Sequence, residues 1–383
     1  MAQWEATRAA ALARAEAFAP NMGSAYAARR NYDSEPGQGA VSALSPWVRR
    51  RLIAERELLE MATAGHGPDA AKFVSEVLWR GYFKGWLEQR PEIWERYVAG
   101  LGAARAAVAR DAALAGRVAA AVEGRTGIDC FDAWTAELRM HGWLHNHARM
   151  WFASIWIFTL RLPWELGADL FLRALVDGDA ASNTLSWRWV AGLHTRGKHY
   201  LARAENIRRY TEGRFDPHGL DEDAEPLAFD GDAPLTPPAP GDAMPTGPYA
   251  LVIHADDSGF DALGLPPPAR VVGVTAHGLD CGSAAARGFA GGAVADAAAR
   301  AGAIYGCPVE LVQEWPEPGD LPLVAPWLTV GPLRDSLPDG YPLAQLRNAY
   351  DAALWPLATA GFFKVKSRAA AALAPLGIVI PEL

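Results

Sequence analysis

The chain has 383 residues, half of them apolar, enough for about two domains that each bury a core. Its three cysteines, Cys130, Cys281 and Cys307, are scattered without a CxxC pair, which excludes a four-thiolate metal or iron–sulfur site and fits a reducing cytoplasm. The formal net charge of −8 is uneven: residues 1–216 carry a net +4 and the remainder a net −12. A polyanionic partner would therefore prefer the first part.

The opening MAQWEATRAAALARAEAF carries Glu5 and Glu16 and repeats apolar residues at helical spacing, unlike the basic start and unbroken apolar middle of a signal peptide. In YDSEPGQGAVSALSPWVRR a glycine-rich turn leads to Ser45-Pro46, which reads as an N-cap followed by proline at N1, with Ser42 just ahead. Free amides and hydroxyls at a helix start suit a phosphate. PWVRRRLIAERELLEMA and AAKFVSEVLWRGYFKGWLE both have helical period. Within the latter, Glu76, Trp79 and Arg80 fall at i, i+3 and i+4, so an acid, an indole and a guanidinium share one face.

The alanine-rich AARAAVARDAALAGRVAAAV follows, then CFDAWTAELRMHGWLHNHARMWFASIWIF, which is helical in period throughout. In it Asn146 pairs in spacing with Met150, and His145 with Arg149. The run WFASIWIFTL is followed by Arg161 and Pro163 and falls short of the about 20 residues a membrane helix needs, so it reads as a buried helix. GADLFLRALV continues the pattern. LVDGDAASNTLSWRWVAG then gathers Asp177, Asp179, Asn183, Trp187 and Trp189 into one stretch; helical from Ala181, it puts Asn183 and Trp187 on one face and Trp189 on another. The basic GLHTRGKHYLARAENIRRYTEGRF suits a phosphate backbone.

Residues 216–248 are rich in proline and acid, contain no Lys or Arg, and read as an extended, solvated linker. Beyond it, YALVIHA, ARVVGVTA, PVELVQEW and LPLVAPWL alternate with alanine-rich helical stretches, the pattern of a parallel α/β sheet. GFAGG reads as a loop ahead of a helix, without the full dinucleotide fingerprint. The expected organisation is an all-helical domain over 1–215, a linker over 216–248 and an α/β domain over 249–383.

Taken together, these stretches resemble the helical FAD-binding domain of the photolyase/cryptochrome flavoproteins, roughly from Tyr26 to Ala191. Tyr26, Arg29 and Arg30 match the family's tyrosine and basic pair, and VSALS (41–45) its phosphate segment. Glu76, Trp79 and Arg80 match Glu-x-x-Trp-Arg, and TGIDCFDAW its TG-x-x-x-x-D-A stretch. WLHNHARM (143–150) matches W-x-H-N-x-x-R-M, and residues 177–189 match D-G-D/E-x-A-x-N-x-x-x-W-x-W. The resemblance implies non-covalent FAD held by Tyr26, Ser42, Leu44, Ser45, Arg80, Arg149, Asp177, Asp179 and Asn183. Arg149 would pair with Asp177, and Asn183 would face N5 of the flavin.

The resemblance further implies Trp187 as first electron donor and Trp164 as second. Its substrate contacts would be Arg30, Trp79, Asn146, Met150 and Trp189, with Glu76 at the lesion. The Asn146 and Met150 pattern is similar to that of photolyases for cyclobutane dimers. The implied activity is light-driven repair of DNA containing pyrimidine dimers, with no metal and no membrane. The alternatives are a cryptochrome-like receptor using flavin photoreduction without repair, and a structural or dark redox flavoprotein.

The sequence departs from the family pattern at Val41, Ala43, Gly81 and Thr184, and the 103–122 stretch lacks the outer tryptophan of the electron chain. Its domain order is also reversed, since the family usually places an α/β antenna domain first. The α/β part faintly resembles that domain, so a second antenna chromophore of unknown identity is an expectation.

Overall fold

The computed structural model describes residues 4–33, 41–195, 197–275 and 282–382. Helices occupy α1 (Arg8–Phe18), α2 (Ser24–Arg29), α3 (Ser45–Arg49), α4 (Glu55–His66), α5 (Ala71–Glu88), α6 (Glu92–Arg110), α7 (Ala112–Glu123) and α8 (Asp129–His141). There follow α9 (Asn146–Ser154), α10 (Trp164–Ala174), α11 (Ala180–Ala191) and α12 (Ala204–Tyr210). Strands β1 (Ala250–His254), β2 (Arg270–Val274), β3 (Val309–Val312), β4 (Leu323–Pro326) and β5 (Leu343–Leu346) alternate with α13 (Ala284–Tyr305) and α14 (Pro332–Asp335). The chain then adds α15 (Ala349–Leu354) and α16 (Phe362–Leu373). The fold is multi-domain and combines a set of helices with an α/β part built on a parallel sheet.

The chain divides into two compact units that differ from the expected 1–215 and 249–383. One comprises residues 1–27, 42–90 and 235–383; the other comprises 28–41 and 91–234. Helices α3 to α5 thus group with the sheet rather than with α6 to α12. The cause is a set of contacts far apart in sequence, which periodicity cannot reveal. Arg49 pairs with Asp256 at 2.5 Å and Arg51 with Asp351 at 2.7 Å. Gln89 Nε2 donates to the Trp355 carbonyl at 2.6 Å.

In the first unit the five strands are all parallel in the order β3-β2-β1-β4-β5. β1 and β2 run in register from Ala250↔Arg270 to His254↔Val274. Both faces of the sheet are covered, so β1 reads as an unbroken apolar run rather than an alternation. One face packs Leu251, Ile253 and Val271 on the alanine stripe of α13; the other packs Val252, Val274 and Ala325 on Leu328 and Leu333. The expected GFAGG loop is instead inside α13, where Gly292 approaches Ala6 so closely that a Cβ would sit 2.8 Å from that methyl. The single helix expected over 46–62 also breaks: α3 ends at Arg49, Arg51 takes φ +52, and α4 restarts with Glu57 accepting from the Ala54 amide at 2.8 Å.

In the second unit the long helical run at 130–158 is interrupted. Gly142, at φ +63, closes α8, and α9 passes into a π-helical turn at Ile155–Thr159. Asp111 splits the alanine-rich stretch by capping α7, accepting from the Ala113 and Leu114 amides. Among the described residues no helix is long and apolar enough to cross a membrane.

The expected linker has no regular secondary structure, as its prolines require, but it is not freely solvated. Asp230 is held by Arg188 through bonds of 2.6 and 2.7 Å, and the Leu227 amide donates to the Ala191 carbonyl. Further along, the Asp242 amide donates to the Gln345 carbonyl.

Candidate functional site

In the second unit, α11 is built by its caps. Asp179 Oδ1 accepts from the Ser182 amide at 2.8 Å, and Gly192, at φ +87, ends the helix. One expected cofactor ligand is therefore also the helix cap. Just before it, buried Asp177 accepts from Arg149 at 2.9 Å through Oδ2, the expected pair, while its buried Oδ1 has no protein partner. Arg149 is itself oriented by donating to the Leu144 carbonyl at 2.9 Å.

One turn into α11, the Asn183 amide nitrogen donates to the Ala168 carbonyl at 2.8 Å, which fixes which way the side chain faces. Trp187 lies one turn further on and is buried against Phe171 (centroids 5.3 Å) and Trp156 (6.4 Å). Trp164 opens α10 and has Tyr97 as its ring neighbour at 5.7 Å, with the Arg188 guanidinium 6.0 Å from its centroid. It lines a cleft of about 750 Å³ together with Arg96, Glu165, Arg188 and Asp230. Trp189 points away from Trp187, is 36% exposed and stacks on Tyr200 at 5.6 Å.

Asn146 begins α9, and its exposed amide donates to Met150 Sδ at 3.9 Å. Behind it His145 is buried, donating from Nε2 to the Arg30 carbonyl at 3.1 Å and accepting from the His147 amide through Nδ1. Burial, with the neighbouring charge of His147, pushes His145 down to about 3; burial pushes His147 down to about 4. Both rings are therefore neutral at pH 7.

In the first unit, α5 carries Glu76, Trp79 and Arg80. Trp79 is stacked on Phe362 of α16, with centroids 3.9 Å apart and planes at 12°, so one indole face is already covered. Sequence spacing gave no sign of this partner. Arg80 Nε is buried with no hydrogen-bond partner. Tyr26 packs edge-on to Phe73 at 5.3 Å. In the phosphate segment, Ser42 Oγ accepts from the Leu44 amide at 3.4 Å. Leu44, not the expected Ser45, takes the cap position of α3, because Ala43 turns the chain at φ +52 and Ser45 already has helical geometry.

Also in this unit, β1 and β4 mark the point where strand order reverses, the place where open α/β sheets bind ligands. Here that crevice is filled by the chain itself. Asp256 and Asp257, after β1, are buried against Arg49 and Arg51, and Arg50 donates to the Ala255 carbonyl at 2.9 Å. Burial pushes both carboxyls up, but Arg49 and Arg51 hold them below the usual range.

Residues 73–220 match the FAD binding domain of DNA photolyase. This segment of the chain is similar to the FAD-binding domain of the photolyase/cryptochrome family. The match takes in α5 and runs through α12, so this photolyase-type segment draws on both compact units. The deoxyribodipyrimidine photo-lyase of Streptomyces griseus is 35% identical over 182 residues, 44% of this chain and 38% of that protein. That of Thermus thermophilus is 34% identical over 216 residues, 55% of this chain and 48% of its own length. The Escherichia coli protein is 28% identical over 198 residues, 50% and 40% of the two chains. The chain thus spans less than half the length of these relatives. Among solved structures, a Synechocystis cryptochrome (TM-score 0.43, 21% identity) covers 54% of this chain and 43% of its own. A class III photolyase from Agrobacterium tumefaciens (TM-score 0.43, 25% identity) covers 53% and 44%.

Proposed function

We propose that this chain binds FAD and uses blue light to split cyclobutane pyrimidine dimers in DNA by electron transfer, in a cytoplasmic setting. The observation that carries the reading is the Asp177, Asn183, Trp187 series in the second unit: a charge-balanced carboxylate, an oriented amide and a buried indole, in the order that the family's FAD-binding domain requires. The residues fit the cofactor. An unsatisfied buried polar atom costs about 1–3 kcal/mol, and in the second unit Asp177 Oδ1 is such an atom at a position assigned to FAD. A hydrogen-bond donor on the ligand would satisfy it.

When bound, FAD supplies light-driven one-electron chemistry, lending an electron to the dimer and recovering it after the ring splits. Arg149 pairs with Oδ2 of Asp177, leaving Oδ1 placed to accept a hydrogen bond from the cofactor. Asn183, tied to Ala168, offers its amide oxygen in one direction. Trp187 and Trp164 supply electrons, since an indole loses one without bond rearrangement. In the first unit Trp79 contacts an extruded base and Glu76 lies at the lesion; in the second, Arg30, Asn146, Met150 and Trp189 contact the substrate. The reading places no second chromophore in the β1/β4 crevice, because Arg49, Arg50 and Arg51 fill it.

The test illuminates the purified, reduced full chain with an oligonucleotide carrying one cyclobutane thymine dimer and follows splitting by chromatography. Splitting with FAD bound is expected. Normal flavin photoreduction with no splitting would replace repair with the photoreceptor alternative. A protein that takes up no flavin would overturn both.

A further inference from the structure

We propose that α16 is a DNA-contacting element, in which Phe363 stacks on a base beside the lesion and Lys364, Lys366 and Arg368 bind the flanking phosphates. This rests on the repair reading. Residues 217–383 contain only eight basic residues among 20 acids, yet three of the eight fall within five positions of α16, with no acid from 352 to 381.

The other five are engaged. Arg270 pairs with Glu310, Arg300 with Asp296 and Arg334 with Glu88; Arg287 donates to the Gly282 carbonyl, and Arg347 lies over Trp355. Lys364, Lys366 and Arg368 form no ion pair among the described residues; Lys364 only donates to the Thr359 hydroxyl at 2.8 Å. Beside them Phe363 is 77% exposed. Its chain neighbour Phe362, on the buried face of α16, is the ring stacked on Trp79, so α16 packs beside a residue assigned to the lesion.

A single exposed ring among unpaired cations matches single-stranded or unstacked nucleic acid, where stacking and phosphate contacts act together. An anionic membrane fits less well. Interfacial helices bury a broad apolar face, and the apolar face of α16 (Phe362, Val365, Ala369, Leu373) is already buried within the protein.

The experiment compares the FAD-loaded full chain with the K364Q/K366Q/R368Q variant and with Phe363→Ala. Binding of a short duplex, with and without one thymine dimer, is titrated across salt, and binding to phosphatidylserine vesicles is measured alongside. The triple variant is expected to lower the salt slope by about 2–3 for both DNAs, at about 0.9 per phosphate lost. Phe363→Ala is expected to weaken dimer-containing DNA by about 5- to 150-fold, the loss of one stack, and Phe363→Trp to retain it. Of the four substituted positions, Phe363, Lys364 and Arg368 are exposed and Lys366 is half-buried, and an unchanged flavin spectrum and melting curve would confirm folding.

An unchanged salt slope, or a loss confined to vesicles, overturns the α16 assignment while leaving repair standing if dimers are still split. A lowered slope in a protein that splits no dimer supports the DNA contact and removes the repair reading. A wild-type chain that binds neither DNA overturns both.

Discussion

Gly167 and Trp187 meet with no room for a side chain: a Cβ on Gly167 would lie 2.3 Å from Cη2 of the indole. The glycine in α10 therefore sets how deeply Trp187 of α11 can seat. Gly167→Ala should cost about 1–3 kcal/mol as overpacking and should tilt the indole, slowing blue-light reduction of bound FAD. Trp187→Phe should slow it sharply too. Adding that smaller ring to Gly167→Ala should restore stability without restoring photoreduction, checked by denaturation and transient absorption. Wild-type photoreduction in Trp187→Phe would show that another donor operates.

The proposed second donor, Trp164, leads elsewhere. Trp164 faces Tyr97, and Tyr97 faces Trp94 at 5.1 Å. The Tyr97 hydroxyl is buried without a partner, and burial, with Asp169 adding, raises its pKa far above the usual tyrosine value. A phenol that cannot release its proton is a poor hole carrier. Trp164→Phe should therefore leave a short-lived radical pair that recombines, Trp94→Phe should shorten charge separation, and Tyr97→Phe should leave both rate and yield unchanged. If Tyr97→Phe slows the reaction as much as Trp94→Phe, the tyrosine carries the hole.

These relationships were unequally visible in the sequence. The Asn183/Trp187 face follows from i, i+4 spacing, so periodicity finds it, whereas the Asp179 cap that starts α11 one residue before the expected Ala181 shows only in the structure. β1, β2 and β4 are visible because burial on both faces leaves apolar runs, while β3, VELV, is largely exposed and shows only through its β-branched residues. β5, LAQL, is mostly half-buried and carries a glutamine, so it shows no such run. The positions of Arg149 and Asp177 could be matched through the family resemblance, but no spacing rule pairs residues 28 apart. Phe362 on Trp79 and Arg51 on Asp351 join residues hundreds of positions apart, and the division into two units depends on just such contacts.

His145 and His147 make the second unit acid-sensitive. Their folded pKa values, about 3 and about 4, lie below the usual 6.5. The Arg149 and Arg214 charges lower His145 further while its bond to the Arg30 carbonyl opposes the shift, and the Arg30 charge lowers His147. The unfolded chain therefore takes up protons first as pH falls, and the stability present above pH 6.5 is lost progressively below it. At pH 5 the loss should be about 2 kcal/mol for a histidine still neutral in the folded state, at about 1.4 kcal/mol per pH unit. Hydrogen exchange of α9 amides at pH 7 and pH 5 should show this, and His145→Gln should roughly halve the difference. Equal protection at both pH values would mean the rings are solvated.

Arg51 carries the charge balance of the first unit. It is buried at φ +52 and bonds Glu55 at 3.2 Å, Asp257 at 2.5 Å and Asp351 at 2.7 Å. Burial pushes Glu55 and Asp257 up, yet Arg51 and then Lys84 hold both below their usual values. Asp351 stays raised, chiefly by burial, with the Glu55 charge adding to it. Removing one member of such a set leaves buried charge uncompensated, which costs about 3–5 kcal/mol. Arg51→Met should therefore destabilise the first unit by about that amount at pH 7. Asp351→Asn keeps the volume and removes the carboxylate least comfortable in its ionised form, so adding it to Arg51→Met should recover part of the loss. Urea denaturation of the single and double variants checks the coupling. Purely additive effects would mean that Arg51 contributes through packing and its turn geometry rather than through charge.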